Sequence, residues 1–415
     1  MRLLSFSSVP ALFLTCFYCV GVFALEKDPS ESGAGDPVRK RGETTDEWFV
    51  FRGDPKLQGV AKAENLLPKP KQVWKFTLGE GVESSAAIVG GRVFLATIEG
   101  SVVALSLDSG AEIWRRKVED SGFTASPLVH RGVTYIGDDV GKLHTFRSSD
   151  GEPGWTYETD SEIRSSANTD GDRILFGSYD NKLHCVGLDG KRLWAIETEG
   201  PLHSSPAISD GKTFVTGCDN HFRVVNIADG KETGALNIGS YTAASPAAFG
   251  KHVFVGTMSG RVVAIDSTKA TEVWSYNSER GSEFKGSCAV VKDRVVVAGK
   301  DRMVHCLDPA NGKKLWAFST KASIESSPVI VGRRVFVGGN DGNLYMLDLD
   351  SSDPDGRELW KFTSGARIVA SPAVARGSLV LSDDEGNVYC FAISSSVLRT
   401  GDAKVVSPDE ERNKP

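Results

Sequence analysis

Apolar and polar residues alternate in short runs along most of this chain, and the runs come in fours. The stretch from Ser326 to Trp360 shows the unit. Val329-Ile330 follows Ser326-Ser327-Pro328, Gly332-Arg333-Arg334 turns the chain, and Val335-Phe336-Val337-Gly338 makes a second run. Asn340-Asp341-Gly342-Asn343 is a tight turn of the composition hairpins favour. Leu344-Tyr345-Met346-Leu347-Asp348 is the third run and Trp360-Lys361-Phe362-Thr363 the fourth. A period of two within each run predicts strands, and the unit carries no helical period. One unit is therefore four short antiparallel strands.

The unit recurs. Trp74, Trp114, Trp155, Trp194, Trp274, Trp316 and Trp360 are spaced 40, 41, 39, 80, 42 and 44 residues apart. The 80 is a doubled 40, with Gly234 where the missing Trp would fall. Each unit opens on small residues, at Ser84-Ser85, Ala125-Ser126, Ser165-Ser166, Ser204-Ser205, Ala244-Ser245, Gly286-Ser287, Ser326-Ser327 and Ala370-Ser371. Small residues suit innermost strands that crowd round one axis, and a Pro just after them sits where a ladder donor can be spared. Eight such openings predict an all-β, eight-bladed β-propeller of four-stranded antiparallel blades. The last copy ends at Ile393 without its Trp strand, while Val73-Trp74-Lys75-Phe76 is a Trp strand without a blade. Residues 73–76 are expected to complete the last blade, closing the ring and removing its exposed edges. Each Trp reads as a wedge between blades, so Gly234 predicts a thinner seam near blades four and five.

The ends differ from this repeat. Met1-Arg2 and the uncharged apolar stretch 3–24, with Val22-Phe23-Ala24 before Leu25, read as a secretory signal peptide over residues 1–24. An uncleaved anchor is the alternative, and Leu14-Thr15-Cys16 is a poor lipoprotein box. Residues 25–70 are expected to be a flexible leader carrying a short Trp48–Gly53 segment, residues 71–393 the propeller, and 394–415 a disordered tail. A formal charge of −6 with no basic run argues against nucleic acid.

Candidate chemistry is sparse. Cys185, Cys218, Cys288, Cys306 and Cys390 follow the signal peptide. Cys185, Cys306 and Cys390 share one repeat position in blades that do not touch. Cys288 and Cys306 lie on strands two apart, about 9–10 Å, too far for a disulfide. Five free, buried thiols are expected and no metal site. His144, His184 and His305 also share a repeat position, filled elsewhere by Val103, Val263, Tyr345 and Tyr389, which marks packing. His130, His221 and His252 sit by turns and are expected to be solvated. The turns between strands two and three, at Glu99, Asp138-Asp139, Asp180, Asp219, Ser259, Asp301, Asp341 and Asp383-Asp384-Glu385, fall on one face. Turn chemistry explains their acids; a docking surface for a basic partner or a weak calcium site is the sharper alternative.

That same face holds the most promising set. The residue before each opening motif should point to the mouth of the central funnel: Glu83, Thr124, Arg164, His203, Ala243, Lys285, Glu325 and Val369. Convergence of unlike groups on one axis is what a pocket requires. Glu83, Thr124, Arg164, His203, Lys285 and Glu325 form the candidate ligand or partner site, with a solvated rim of internal ion pairs as the plain alternative. No catalytic residue can be assigned.

Ala264-Ile265-Asp266 with Val273-Trp274, and Leu307-Asp308 with Asn311-Gly312-Lys313-Lys314-Leu315-Trp316, resemble the tryptophan-docking repeat of pyrroloquinoline-quinone-like propellers. Trp48-Phe49-Val50-Phe51-Arg52-Gly53 is similar to a segment that often precedes them in secreted bacterial proteins. The resemblance covers roughly residues 48–393 and implies two classes. One is quinoprotein dehydrogenases, longer chains that hold pyrroloquinoline quinone and calcium over the funnel. The other is non-catalytic scaffolds, typified by the outer-membrane β-barrel assembly lipoprotein BamB, whose size, blade count and export this chain resembles. The resemblance favours a monomeric, exported scaffold, periplasmic or envelope-associated, that binds protein partners such as outer-membrane assembly components. No cofactor is expected on that reading; a quinone- or sugar-binding enzyme or sensor is the alternative.

Overall fold

The computed structural model describes residues 46–397, so the expected signal peptide, most of the leader and most of the tail lie outside the described residues. Eight four-stranded antiparallel sheets follow one another, each paired in chain order from its short first strand to its fourth. In blade seven the strands are Val329–Val331, Arg334–Gly338, Asn343–Asp348 and Glu358–Thr363. The Ser-Ser-Pro opening precedes that first strand and takes no part in its ladder. First strands of neighbouring blades contact one another, which places them around the axis.

Blade eight closes as the orphan Trp strand requires. Leu66–Thr77 pairs antiparallel with Asn387–Ser394, bringing Trp74 opposite Cys390. The closing strand begins at Leu66, earlier than residue 73, with an irregular register that lets its first half bend away. The strand that leads into blade one and the last strand of blade eight are thereby held in one sheet.

Most seams are docking events. In six seams a fourth-strand Trp lays its ring on a glycine in the following blade's turn and its Nε1 donates to a carbonyl beside that turn, whereas Trp360 packs its ring against Phe391 of blade eight. Trp114 bonds Ser148 O at 3.1 Å, Trp274 bonds Pro309 O at 2.9 Å and Trp316 bonds Leu349 O at 3.1 Å. The fit excludes a side chain beneath the ring: a Cβ built on Gly312 would stand 2.5 Å from Trp274. Across the strand pair, Ala104, Cys185, Ala264, Cys306 and Cys390 sit directly opposite Trp114, Trp194, Trp274, Trp316 and Trp74. Three thiols are thus small spacers behind an indole. All five cysteines are free; Cys218 departs from expectation in being only half-buried, because it lies in a turn.

Blade four has no indole to dock. There Gly234 faces Ala270, the residue standing where the other turns keep glycine, and a Cβ on Gly234 would meet the Ala270 methyl at 2.9 Å. The seam lacks the ring and its hydrogen bond, yet it is closed by a buried methyl rather than left open.

Residues 46–70, expected in a leader, belong to the fold. The stretch 48–61 runs as a strap around the inside of the ring. Its carbonyls accept N–H groups from successive first strands: Trp48 O from Ile88, Phe49 O from Val129, Pro55 O from Ile208, Lys56 O from Ala248, Gln58 O from Val290 and Gly59 O from Ile330. Blade three supplies a side chain instead, Asn168 Nδ2 to Pro55 O at 2.8 Å. The free edge of each innermost strand in blades one to seven is satisfied this way, as buried backbone donors require. Val60–Ala61 then pairs parallel with blade seven. Trp48, Val50 and Leu57 anchor the strap in the core. Arg52, 1% exposed, donates from Nη2 to Cys288 O at 3.1 Å, and burial lowers its pKa to about 10.

Candidate functional site

A second ring lies inside the first strands. The middle residue of every opening motif is serine: Ser85, Ser126, Ser166, Ser205, Ser245, Ser287, Ser327 and Ser371. Each serine N–H donates to the Oγ of the serine in the next blade, at 2.9–3.0 Å. Ser371 N to Ser85 Oγ, at 3.0 Å, closes the circle. All eight N–H···Oγ bonds run in one direction. This explains why the opening residues are poor in ladder bonds: their amides bind the neighbouring blade. Sequence reasoning credited the motif to crowding alone. The overlooked sign was serine in all eight copies while the flanking residues vary.

Above and within this ring is a chamber of about 310 Å³. All eight residues placed at the funnel mouth line it: Glu83, Thr124, Arg164, His203, Ala243, Lys285, Glu325 and Val369. Phe51 of the strap, a position that no repeat marks, joins them as an apolar lining residue. The rim contains ion pairs, as the plain alternative held. Lys285 Nζ lies 3.2 Å from Glu325 Oε2, and Arg164 Nε 2.5 Å from Glu162. Arg164 also stands over the Tyr179 ring at 5.3 Å. His203 Nδ1 is 2.8 Å from the Tyr179 hydroxyl. Burial first, then the cations Arg164 and Lys285, push the His203 pKa down to about 4, so the imidazole is neutral near pH 7. Glu83 has no hydrogen bond or ion pair among the described residues.

The turns on this face follow turn chemistry, the plainer of the two readings. Their leading aspartates do not form an exposed acidic ring but turn inward. Asp138 Oδ1 accepts the Lys142 amide at 2.6 Å while Oδ2 meets His144 Nε2 at 2.7 Å. Asp180 meets His184 at 3.0 Å, Asp301 His305 at 2.8 Å, Asp219 Arg223 at 2.5 Å, Asp341 the Tyr345 hydroxyl at 2.6 Å and Asp383 that of Tyr389 at 3.2 Å. In blades one and five, where strand three carries Val103 and Val263, the turn residue is Thr97 or Thr257, whose hydroxyl accepts the equivalent amide at 2.8 and 3.0 Å. A threonine satisfies the turn alone; an aspartate leaves a second oxygen that needs a donor from strand three. The three histidines therefore do pack, as expected, and each also serves a buried carboxylate. Burial pushes Asp138, Asp180 and Asp301 up, but the bonds and charge of His144, His184 and His305, together with backbone amides and serine hydroxyls, hold them below the usual carboxylate range. His130 was expected in solvent and is buried instead, its Nε2 2.9 Å from Gly171 O.

The quinone held with calcium can be tested against these groups. Calcium takes roughly six to eight oxygen ligands. The chamber offers two carboxylates, Glu83 and Glu325, the latter engaged by Lys285, and no three metal-ligating side chains come together among the described residues. The donor set does not fit that cofactor.

Fold and chamber together define an eight-bladed tryptophan-docking propeller with a strap across its central channel and a polar funnel. The family model described as outer membrane protein assembly factor BamB matches residues 67–169, 161–283 and 269–353, and the chain belongs to that family. It is 24% identical over 336 residues to BamB of Salmonella typhimurium, covering 72% of this chain and 84% of that one. For BamB of Yersinia pestis the values are 23% over 327 residues, 71% and 82%. Against BamB of Nitrosomonas eutropha, 24% identical over 244 residues, 54% of this chain is covered and only 59% of the relative. Among solved structures, BamB from Moraxella catarrhalis superposes with a TM-score of 0.67 at 18% identity, covering 79% of this chain and 98% of that one. Quinohemoprotein alcohol dehydrogenase from Comamonas testosteroni gives 0.74 at 13% identity, covering 90% and 83%. At such identities both likenesses carry the fold alone.

Proposed function

We propose that this chain is a non-catalytic, exported scaffold of the bacterial cell envelope that engages protein partners, among them components of outer-membrane β-barrel assembly. The observation that carries the reading is the family match through residues 67–353, which reaches from the closing strand into blade seven. Its relatives are named for outer-membrane protein assembly, and a signal peptide over residues 1–24 would deliver the chain to the compartment where that work is done. Docking is assigned to the funnel face. Besides the charged rim, that face exposes apolar side chains at Ile98 and Val140, in the turns of blades one and two, and at Tyr241, between blades four and five. Apolar groups beside fixed charges are the usual makings of a contact surface.

Affinity capture of the chain from its own envelope extract after mild crosslinking, read by mass spectrometry, tests the scaffold reading. Recovery of outer-membrane assembly components is expected; recovery of the propeller alone would overturn it. A quadruple variant, E83Q/R164Q/K285Q/E325Q, tests the face. It should retain the wild-type melting profile and lose most partner capture. Full capture by the folded variant would move the docking surface elsewhere.

A further inference from the structure

The serine ring has an unused capacity. Each Oγ accepts one amide, and among the described residues none of the eight donates its own proton to a protein acceptor. The side chains are nearly buried, so these hydroxyls face only the chamber. Eight O–H donors around one axis, with no protein acceptor competing for them, suit a group rich in lone pairs. A carboxylate is such a group, and charge strengthens every bond it accepts.

The charges above the ring are not spread evenly. Arg164 and Lys285 come from blades three and six and flank the half-buried His203 of blade four. Their positive field reaches into the chamber, as its effect on His203 records. In the tautomer in which the Tyr179 hydroxyl donates to Nδ1, His203 carries its proton on Nε2 as a further donor. On the other side stand Glu325, held by Lys285, and Glu83, which makes no hydrogen bond or ion pair among the described residues and feels only the more distant charge of Arg367. The chamber thus offers donors and positive potential across one half and an unpaired carboxylate on the opposite rim.

We propose that the chamber binds a small zwitterion of the α-amino-acid class, its carboxylate on the serine ring toward His203 and its ammonium against Glu83. A bare anion would leave Glu83 opposed, and a bare cation would leave the hydroxyls unused. A neutral sugar would leave the opposed charges of the two sides of the rim without counter-charges. The volume of about 310 Å³ admits an amino acid. This inference does not depend on the scaffold reading, and capture and small-molecule titration fail separately.

Isothermal titration of the purified full chain tests it, using glycine and L-alanine as zwitterions, acetate and ethylamine as their separated halves, and glucose as a neutral polyol. Saturable binding of an amino acid is expected, with acetate and ethylamine each at least about tenfold weaker, as expected when one charge-assisted hydrogen bond is lost. Glu83→Gln, on the exposed rim and away from the serine ladder, should weaken the amino acid about tenfold or more and leave acetate unchanged. Circular dichroism establishes that the variant is folded. Acetate binding as tightly as glycine, glucose binding in preference, an unchanged affinity in Glu83→Gln, or no saturable heat with any probe would each overturn the proposal.

Discussion

Seven seams of this propeller face a following blade across a fourth-strand tryptophan, and one does not. Trp274 rests on Gly312 with its indole N–H bonded to Pro309, whereas one blade earlier Gly234 rests on Ala270 with neither ring nor bond. The exchange is paired. A large residue meets glycine, and where the large residue is gone the glycine has become alanine, although that position keeps a positive φ of 50°. What the ring requires is a filled gap between turn and strand, and it is filled from whichever side has the volume. Tryptophan adds burial and a hydrogen bond beyond filling; the alanine seam shows that closure can do without both.

Removing a ring should break the comparison most sharply. Trp316, 1% exposed and bonded to Leu349 O, leaves an unfilled seam as Trp316→Ala, and a loss of about 3–5 kcal/mol is expected in denaturant unfolding. Placing a methyl beneath a ring comes next. Gly312→Ala sets a Cβ against Trp274 at a φ of +72° and should cost about 2–3 kcal/mol. In a Trp274→Gly background the same change should cost under about 1 kcal/mol, a coupling that a double-mutant cycle measures. The converse repairs the odd seam: Gly234→Trp alone should destabilise by about 1–2 kcal/mol, because the Ala270 methyl occupies the ring's place. Adding Ala270→Gly should return the melting temperature to near wild type. A double variant no better than the single would mean that the seam's backbone spacing, not the residue pair, sets its width.

The smallest effect concerns another paired exchange, aspartate with His, Arg or Tyr against threonine with valine. Asp138 is held below its ordinary pKa in the fold, so its stabilisation is full above the unfolded value near 4 and is lost as pH falls through the folded value. Converting blade two to the blade-one pattern, Asp138→Thr with His144→Val, should lessen acid destabilisation below about pH 4 by roughly 1 kcal/mol. Thermal melts between neutral pH and pH 3 read it; identical acid slopes for variant and wild type would remove the pair from the acid response.

These comparisons also show what a reader of the sequence could see. Blade count, strand order and the closing strand were legible because a repeated fold writes each feature eight times. The funnel mouth was legible for the same reason: Glu83, His203 and Lys285 share nothing but their place before a repeated serine. The strap was not, since it occurs once and works through backbone carbonyls, which any side chain can accompany. The partners of the turn aspartates were hidden differently. Asp and His positions were both noticed, but only the strand register brings Asp301 onto His305. The serine ring was in plain view, and only the hydrogen bonds reveal why serine rather than another small residue is needed.

The strap has a consequence for how the molecule comes apart. A propeller closed only at its last blade can unzip from that blade, one sheet at a time. Here residues 48–61 are stitched to first strands from blade one to blade seven, and Ser371 binds Ser85 across 286 residues of chain. Blades one to seven cannot leave without breaking bonds to the strap and to both neighbours, and blade eight is tied by the serine ring and the closing strand, so unfolding has no low-cost first step. Such long-range links form late and slowly. Once made, they turn a stack of marginal sheets into a body that resists proteolysis and pulling forces by rate rather than by depth of its free-energy well.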